Sequence, residues 1–132
     1  MEIRGWIVEF TELAWLNIKN IVQTDDYLEE GDYYGCFKKG ALCIDIVLRS
    51  DDKEWSLCGD AYILGEDTGY GYTRDNETPY DEADGCIFEY NIHKRYDDMV
   101  DSIIDQLGEC VDKIKRWKIA SERTDLVWKE NV

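Results

Sequence analysis

The chain has 132 residues, 30 acidic against 15 basic side chains, a formal net charge of −15 at pH 7 and 44% hydrophobic content. That length suits about one compact domain on the usual scale of roughly 100–200 residues, and five tryptophans and nine tyrosines argue against global disorder, which goes with few aromatics. The charge argues against direct binding to nucleic acid or anionic lipid, since phosphate contacts need clustered Lys and Arg, and no run approaches the ~18 apolar residues that span a bilayer.

In chain order, the segment "EIRGWIVEF" is rich in β-branched and aromatic residues and predicts a strand from Ile3 to Phe10. The next segment, "TELAWLNIKNIVQ", places Ala14, Ile18, Ile21 and Val22 on one helical face behind a capping Thr11. Ala14, Leu16 and Ile18 also alternate as a strand would, so helix is the preferred of two readings. The acidic run "TDDYLEEGD" ends this element.

Three strand-like runs follow, "YYGCF", "ALCIDIVLRS" and "WSLCGDAYIL", joined by the short polar connections "KKG" and "DDKE". Connections of that length predict hairpins, hence a β-meander. In the middle run Leu42, Ile44, Ile46 and Leu48 share one face and Cys43, Asp45, Val47 and Arg49 the other. One side of the sheet is therefore expected to be buried under a helix and the other partly wet.

Residues 65–85 form a long connection with seven carboxylates, and "CIFEYNI" then resumes a strand pattern. From Arg95 to Trp117 the apolar residues Val100, Ile103, Ile104, Leu107, Val111 and Ile114 recur at three- and four-residue spacing, which predicts one long amphipathic helix. The end, "TDLVWKE", reads as a short strand or a docked tail. The fold class expected is α+β, a single acidic domain over 1–132 with an antiparallel sheet of four to six strands packed against the C-terminal helix.

Familiar site patterns fail in detail. A calcium loop aligned on Gly85 places Tyr80 where the first ligand belongs and Asn91 where the bidentate glutamate belongs. Gly69 and Gly71 begin a G-x-G pattern, but Arg74 occupies the third glycine's place. Zinc centres draw on closely spaced Cys and His, whereas Cys36, Cys43, Cys58, Cys86 and Cys110 are scattered and His93 is the only histidine. The cysteines read as reduced thiols in a cytoplasmic protein, serving as small buried hydrophobes. Neither metal nor cofactor is expected. A Cys and His catalytic pair has only His93 to draw on, and the abundance of carboxylates removes specificity from any acid pair, so an enzyme is the less favoured class. The run "DKIKRWKIASER" reads as a helix C-terminus with Trp117 packed under the sheet.

The distinctive feature is a stripe on the C-terminal helix. Asp97, Asp101, Asp105 and Glu109 stand at four-residue intervals, flanked by Asp98 and Asp112. Like charges at this spacing destabilise a helix by about 0.2–0.5 kcal/mol per pair, so helix stability alone does not select them. With Tyr70, Tyr72, Tyr80, Asp81, Glu82 and Asp84 of the long connection they make a candidate surface for a basic protein partner. The concrete expectation is a non-enzymatic inhibitor that occupies the nucleic-acid site of such a partner, in the manner of small acidic anti-CRISPR and anti-restriction proteins of phages. That analogy is one of composition, not of motif. The alternatives are a small-molecule module built on the tyrosine-rich connection and a structural subunit of a homo-oligomer.

Overall fold

The computed structural model describes residues 1–28, 33–51, 54–64, 86–93 and 98–124. Within them lie six strands, β1 (Glu2–Ile3), β2 (Trp6–Phe10), β3 (Tyr33–Lys39), β4 (Leu42–Asp51), β5 (Glu54–Ile63) and β6 (Cys86–Asn91). The helices are α1 (Glu12–Thr24), α2 (Met99–Lys113) and α3 (Lys115–Glu122). The strands form one antiparallel sheet in sequence order, so the expected α+β meander with a C-terminal helix packed on it is present. Among the described residues, no helix is long and apolar enough to cross a membrane.

The single strand expected over Ile3–Phe10 is two. Arg4 and Gly5 both take positive φ, 53° and 86°, and Ile3 pairs with Trp6 across them. Positive φ at both central residues is the type I′ geometry favoured in two-residue hairpins, and the Gly5 of "IRGW" supplies half of it without strain. The ambiguous segment after it is helical: the Thr11 side chain accepts a 3.0 Å hydrogen bond from the Ala14 N–H, satisfying a donor that the first turn leaves open. Ala14, Ile18 and Ile21 are buried as the helical face requires, and Asp25, in left-handed conformation, closes the C-terminus by donating to the Ile21 carbonyl.

Cross-strand register assigns the two faces of the sheet. Phe37 opposes Ile44, which opposes Ala61; Leu48 opposes Leu57, which opposes Tyr90. Trp6 and Val8 join this face, and it shares one core cluster with Ala14, Ile18 and Ile21 of α1, Ile103, Leu107 and Cys110 of α2, and Trp117 of α3. All three helices therefore bury apolar residues with the same face of the sheet. Burying each large side chain contributes about 1.5–3 kcal/mol.

Two glycines in this face are dictated by contact. A Cβ on Gly35 would fall 1.9 Å from the backbone carbonyl oxygen of Glu9, beside the bulge between Tyr33 and Gly35. One on Gly59 would fall 2.0 Å from the Phe88 ring, which lies over that glycine from the neighbouring strand.

The one helix expected from Arg95 to Trp117 is interrupted. Residues 94–97 lie outside the described set, α2 begins at Met99, and Ile114 is extended at φ −112°, ψ 99° before α3 starts. Apolar periodicity runs straight through the break because Ile114 and Trp117 are both buried. What redirects the chain is its far end, where the Ala41 N–H in the β3–β4 turn donates to the Ala120 carbonyl at 2.8 Å. Gly40 sits so close that a Cβ there would lie 2.5 Å from the Ser121 carbonyl oxygen.

Gly108 of α2, by contrast, has no neighbour within 4 Å of an added Cβ. Gly108→Ala is expected to stabilise the protein by up to ~1 kcal/mol, the helix-propensity difference. Gly35→Ala is expected to cost about 1–3 kcal/mol as a backbone clash without a flexible partner to yield. Equilibrium urea unfolding of both variants checks the pair of opposite signs.

Candidate functional site

Helix α2 is fixed to the sheet by Met99, Ile103, Ile104, Leu107, Cys110 and Val111, all buried. That attachment leaves Asp101, Asp105 and Glu109 exposed together, with Asp98 exposed at the N-cap and Asp112 exposed near the other end. At about 1.5 Å of rise per residue they form a ridge of carboxylates roughly 20 Å long. Arg4, presented by the β1–β2 turn, lies 2.7 Å from Asp105. With both side chains half or more exposed, that pair contributes little to stability. Asp97 and the second half of the expected surface, Tyr70, Tyr72, Tyr80, Asp81, Glu82 and Asp84, lie outside the described residues. The segment "TDLVWKE" does so too, apart from Thr124.

His93 has its Nε2 3.2 Å from Asp25 Oδ1 at the end of α1. Its backbone N–H donates to Asn91 Oδ1 at 3.0 Å. The contact with Asp25 ties the end of β6 to α1.

The face of the sheet opposite the core carries a second cluster that spacing along the chain does not reveal. Cys36 stands between Glu9 of β2 and Asp45 of β4, and Asp45 in turn opposes Asp60 of β5. Four strands thus contribute a row reading Glu9, Cys36, Asp45, Asp60. In the adjoining row Cys43 stands between Lys38 and Tyr62. Cys36, Cys43 and Asp60 are buried and Asp45 is half-buried.

Their polar atoms converge. Cys36 Sγ, Cys43 Sγ and an Asp45 carboxylate oxygen all lie within 4.8 Å of one another. The Cys43 thiol points at Asp45 Oδ1 at 3.8 Å and the Cys36 thiol at Glu9 Oε2 at 3.9 Å, while Lys38 Nζ holds that same Glu9 oxygen at 3.2 Å. Cys36, Cys43, Cys58 and Cys110 are buried, and none of these four is in a disulfide. Cys36 and Cys43 are nevertheless not core filler, for they share their face with Glu9, Lys38 and Asp45.

The cluster polarises its own members. The neighbouring Cys43 thiol lowers the Cys36 thiol below the ordinary cysteine value against the opposing effect of burial, with Lys38 and Tyr33 assisting. The adjacent Cys36 sulfur, together with burial, pushes the Cys43 thiol up. Burial also raises the Asp45 carboxyl, and Asp60 adds repulsion, although the Cys43 thiol works the other way. Burial acts to lower the Lys38 ammonium, but Cys36 and Glu9 outweigh it and hold it above its ordinary range.

Comparison of the chain with protein families, with curated proteins and with solved structures finds no match in any of the three.

For Asp45 the sign of the linkage is fixed. An aspartate titrates near pH 4 in an unfolded chain, and the folded protein holds this proton to higher pH. Between the two values the folded state binds more protons, so stability is lost as pH rises through that interval. Asp45→Asn is expected to melt above the wild type at pH 7 in chelating buffer, with the difference vanishing below about pH 4. Parallel thermal melts at the two pH values check it.

Proposed function

We propose that this protein is a non-enzymatic binding module whose acidic α2 ridge engages a basic protein partner, most concretely by occupying that partner's nucleic-acid site. The observation that carries the reading is the joint exposure of Asp101, Asp105 and Glu109 on a helix anchored by its other side. Rigid, pre-positioned charge favours fast and selective association with a surface of opposite sign. Repulsion within the ridge costs on the order of 1 kcal/mol, which a binding role accounts for and helix stability does not.

Spacing of about 6 Å between successive ridge carboxylates is wider than the one charge per roughly 1.7 Å of duplex axis. The ridge alone therefore imitates a phosphate backbone only sparsely, and the net charge of −15 must supply the rest of the field.

The test uses tagged wild type and the triple variant Asp101→Asn, Asp105→Asn, Glu109→Gln against nuclease-treated bacterial lysate, followed by identification of what is retained. The wild type is expected to retain a basic nucleic-acid-binding protein that duplex DNA or RNA competitor releases. Neutralisation should weaken that retention at least tenfold while leaving the melting temperature equal or higher. Retention indifferent to the three substitutions, or to the competitor, overturns the reading.

A further inference from the structure

We propose that Cys36, Cys43 and Asp45 form a binding site for a thiophilic divalent cation of the zinc class, with a water molecule or the adjacent Glu9 carboxylate as a further ligand. The proposal is independent of the α2 ridge.

Geometry comes first. Zinc bonds of about 2.3 Å to sulfur and 2.0–2.2 Å to oxygen place tetrahedral ligand atoms roughly 3.5–3.8 Å apart. Cys43 Sγ and Asp45 Oδ1 are already 3.8 Å apart, and all three donors fall within 4.8 Å, so closing on an ion takes movements of about an ångström or less. Neighbouring strands β3 and β4 hold the three ligands in fixed register, through a turn whose Ala41 N–H is anchored on Ala120.

The local charge also favours a cation. Like charges directly opposite one another on a sheet are destabilising, yet here Asp45 opposes Asp60, which is only 7% exposed. A divalent ion reverses that local sign. The one ammonium in the adjoining row, Lys38, is held by Glu9, which limits its opposition to a cation at the thiols.

The donor set then selects the ion. Two thiolates favour zinc-class metals over magnesium or calcium, which are bound through oxygen. A disulfide is the competing fate of two close cysteines, but Cys36 opposes Asp45 and Cys43 opposes Lys38, so the pair is diagonal. Diagonal neighbours lie about 7–8 Å apart, beyond the usual Cα separation of a disulfide, about 4.4–6.8 Å. The thiols remain available as ligands.

The test titrates the reduced, chelator-stripped full chain with Co²⁺ and then Zn²⁺. One equivalent of cobalt is expected to produce thiolate charge-transfer absorption and the intense visible bands of a tetrahedral centre, bleached by one equivalent of zinc. Cys36→Ser and Cys43→Ser should each abolish the signal. Asp45→Asn should weaken zinc binding beyond the roughly 10–100-fold typical of losing an outer-shell partner. Cys110→Ser, whose thiol instead donates to the Ile87 carbonyl, should change nothing. Circular dichroism confirms that each variant folds, and the wild-type spectrum decides by itself should a cysteine variant fail to fold. Weak octahedral cobalt bands without charge transfer, a Cys36–Cys43 disulfide in place of metal uptake, or a signal that survives loss of both thiols overturns the proposal.

Discussion

Register in the β2–β5 meander is the constraint on which the rest of this structure depends. Side chains alternate along a strand with period two, so a slip of one residue would exchange the faces of an entire strand. In β4 that slip would turn Leu42, Ile44, Ile46 and Leu48 away from the core and bring Cys43 and Asp45 into it. The cost of unburying four such side chains, about 1.5–3 kcal/mol each, locks the register. Assembly of the polar row on the opposite face follows from that lock without any interaction of its own being needed.

The same economy explains the helices. None of them is held by local sequence alone, since each places its apolar residues in one cluster with the same sheet face. The break at Ile114 shows the sheet overriding a helical pattern. A straight continuation would keep the periodicity of Val111, Ile114 and Trp117, but the Ala120 carbonyl of α3 accepts from the Ala41 N–H in the β3–β4 turn, and Gly40 lies close against the Ser121 carbonyl. Tertiary contact decides where the helix ends.

Much of this architecture was legible in the residues. The meander, the two faces of β4 and the burial of Trp117 follow from composition and period, whereas period alone left the first helix ambiguous with a strand. The β1–β2 hairpin was not read because the two residues before its turn make a strand too short to carry a pattern, and Arg4 is an unusual occupant of a left-handed turn position. The exposed ridge on α2 was legible as a spacing of four. Missed entirely was the thiol and carboxylate cluster, since metal spacing rules describe ligands close together in sequence. Here the turn at Gly40 and Ala41 brings Cys36 opposite Asp45 and Lys38 opposite Cys43. The signal lay in two alternating strands counted outward from a turn, and reading it requires the register first.

Among the described residues, the acids behind the net charge of −15 include two physically different populations. Ridge carboxylates on α2 are exposed, and with about 6 Å between them they lie within the Debye length of roughly 8 Å at physiological ionic strength. They act as one extended field, and salt weakens it. The row of Glu9, Asp45 and Asp60 is wholly or partly withdrawn from solvent, where screening reaches poorly and repulsion is stronger at equal distance. Solvent and salt moderate the first population; in the second, Lys38 offsets Glu9, and protonation or a seated cation would relieve the repulsion between Asp45 and Asp60. Acids of the first kind suit recognition of a large basic surface, and acids beside two thiols suit the capture of a single ion. A count of charges along the chain cannot separate the two, because the distinction is created by which face of which element the fold turns outward.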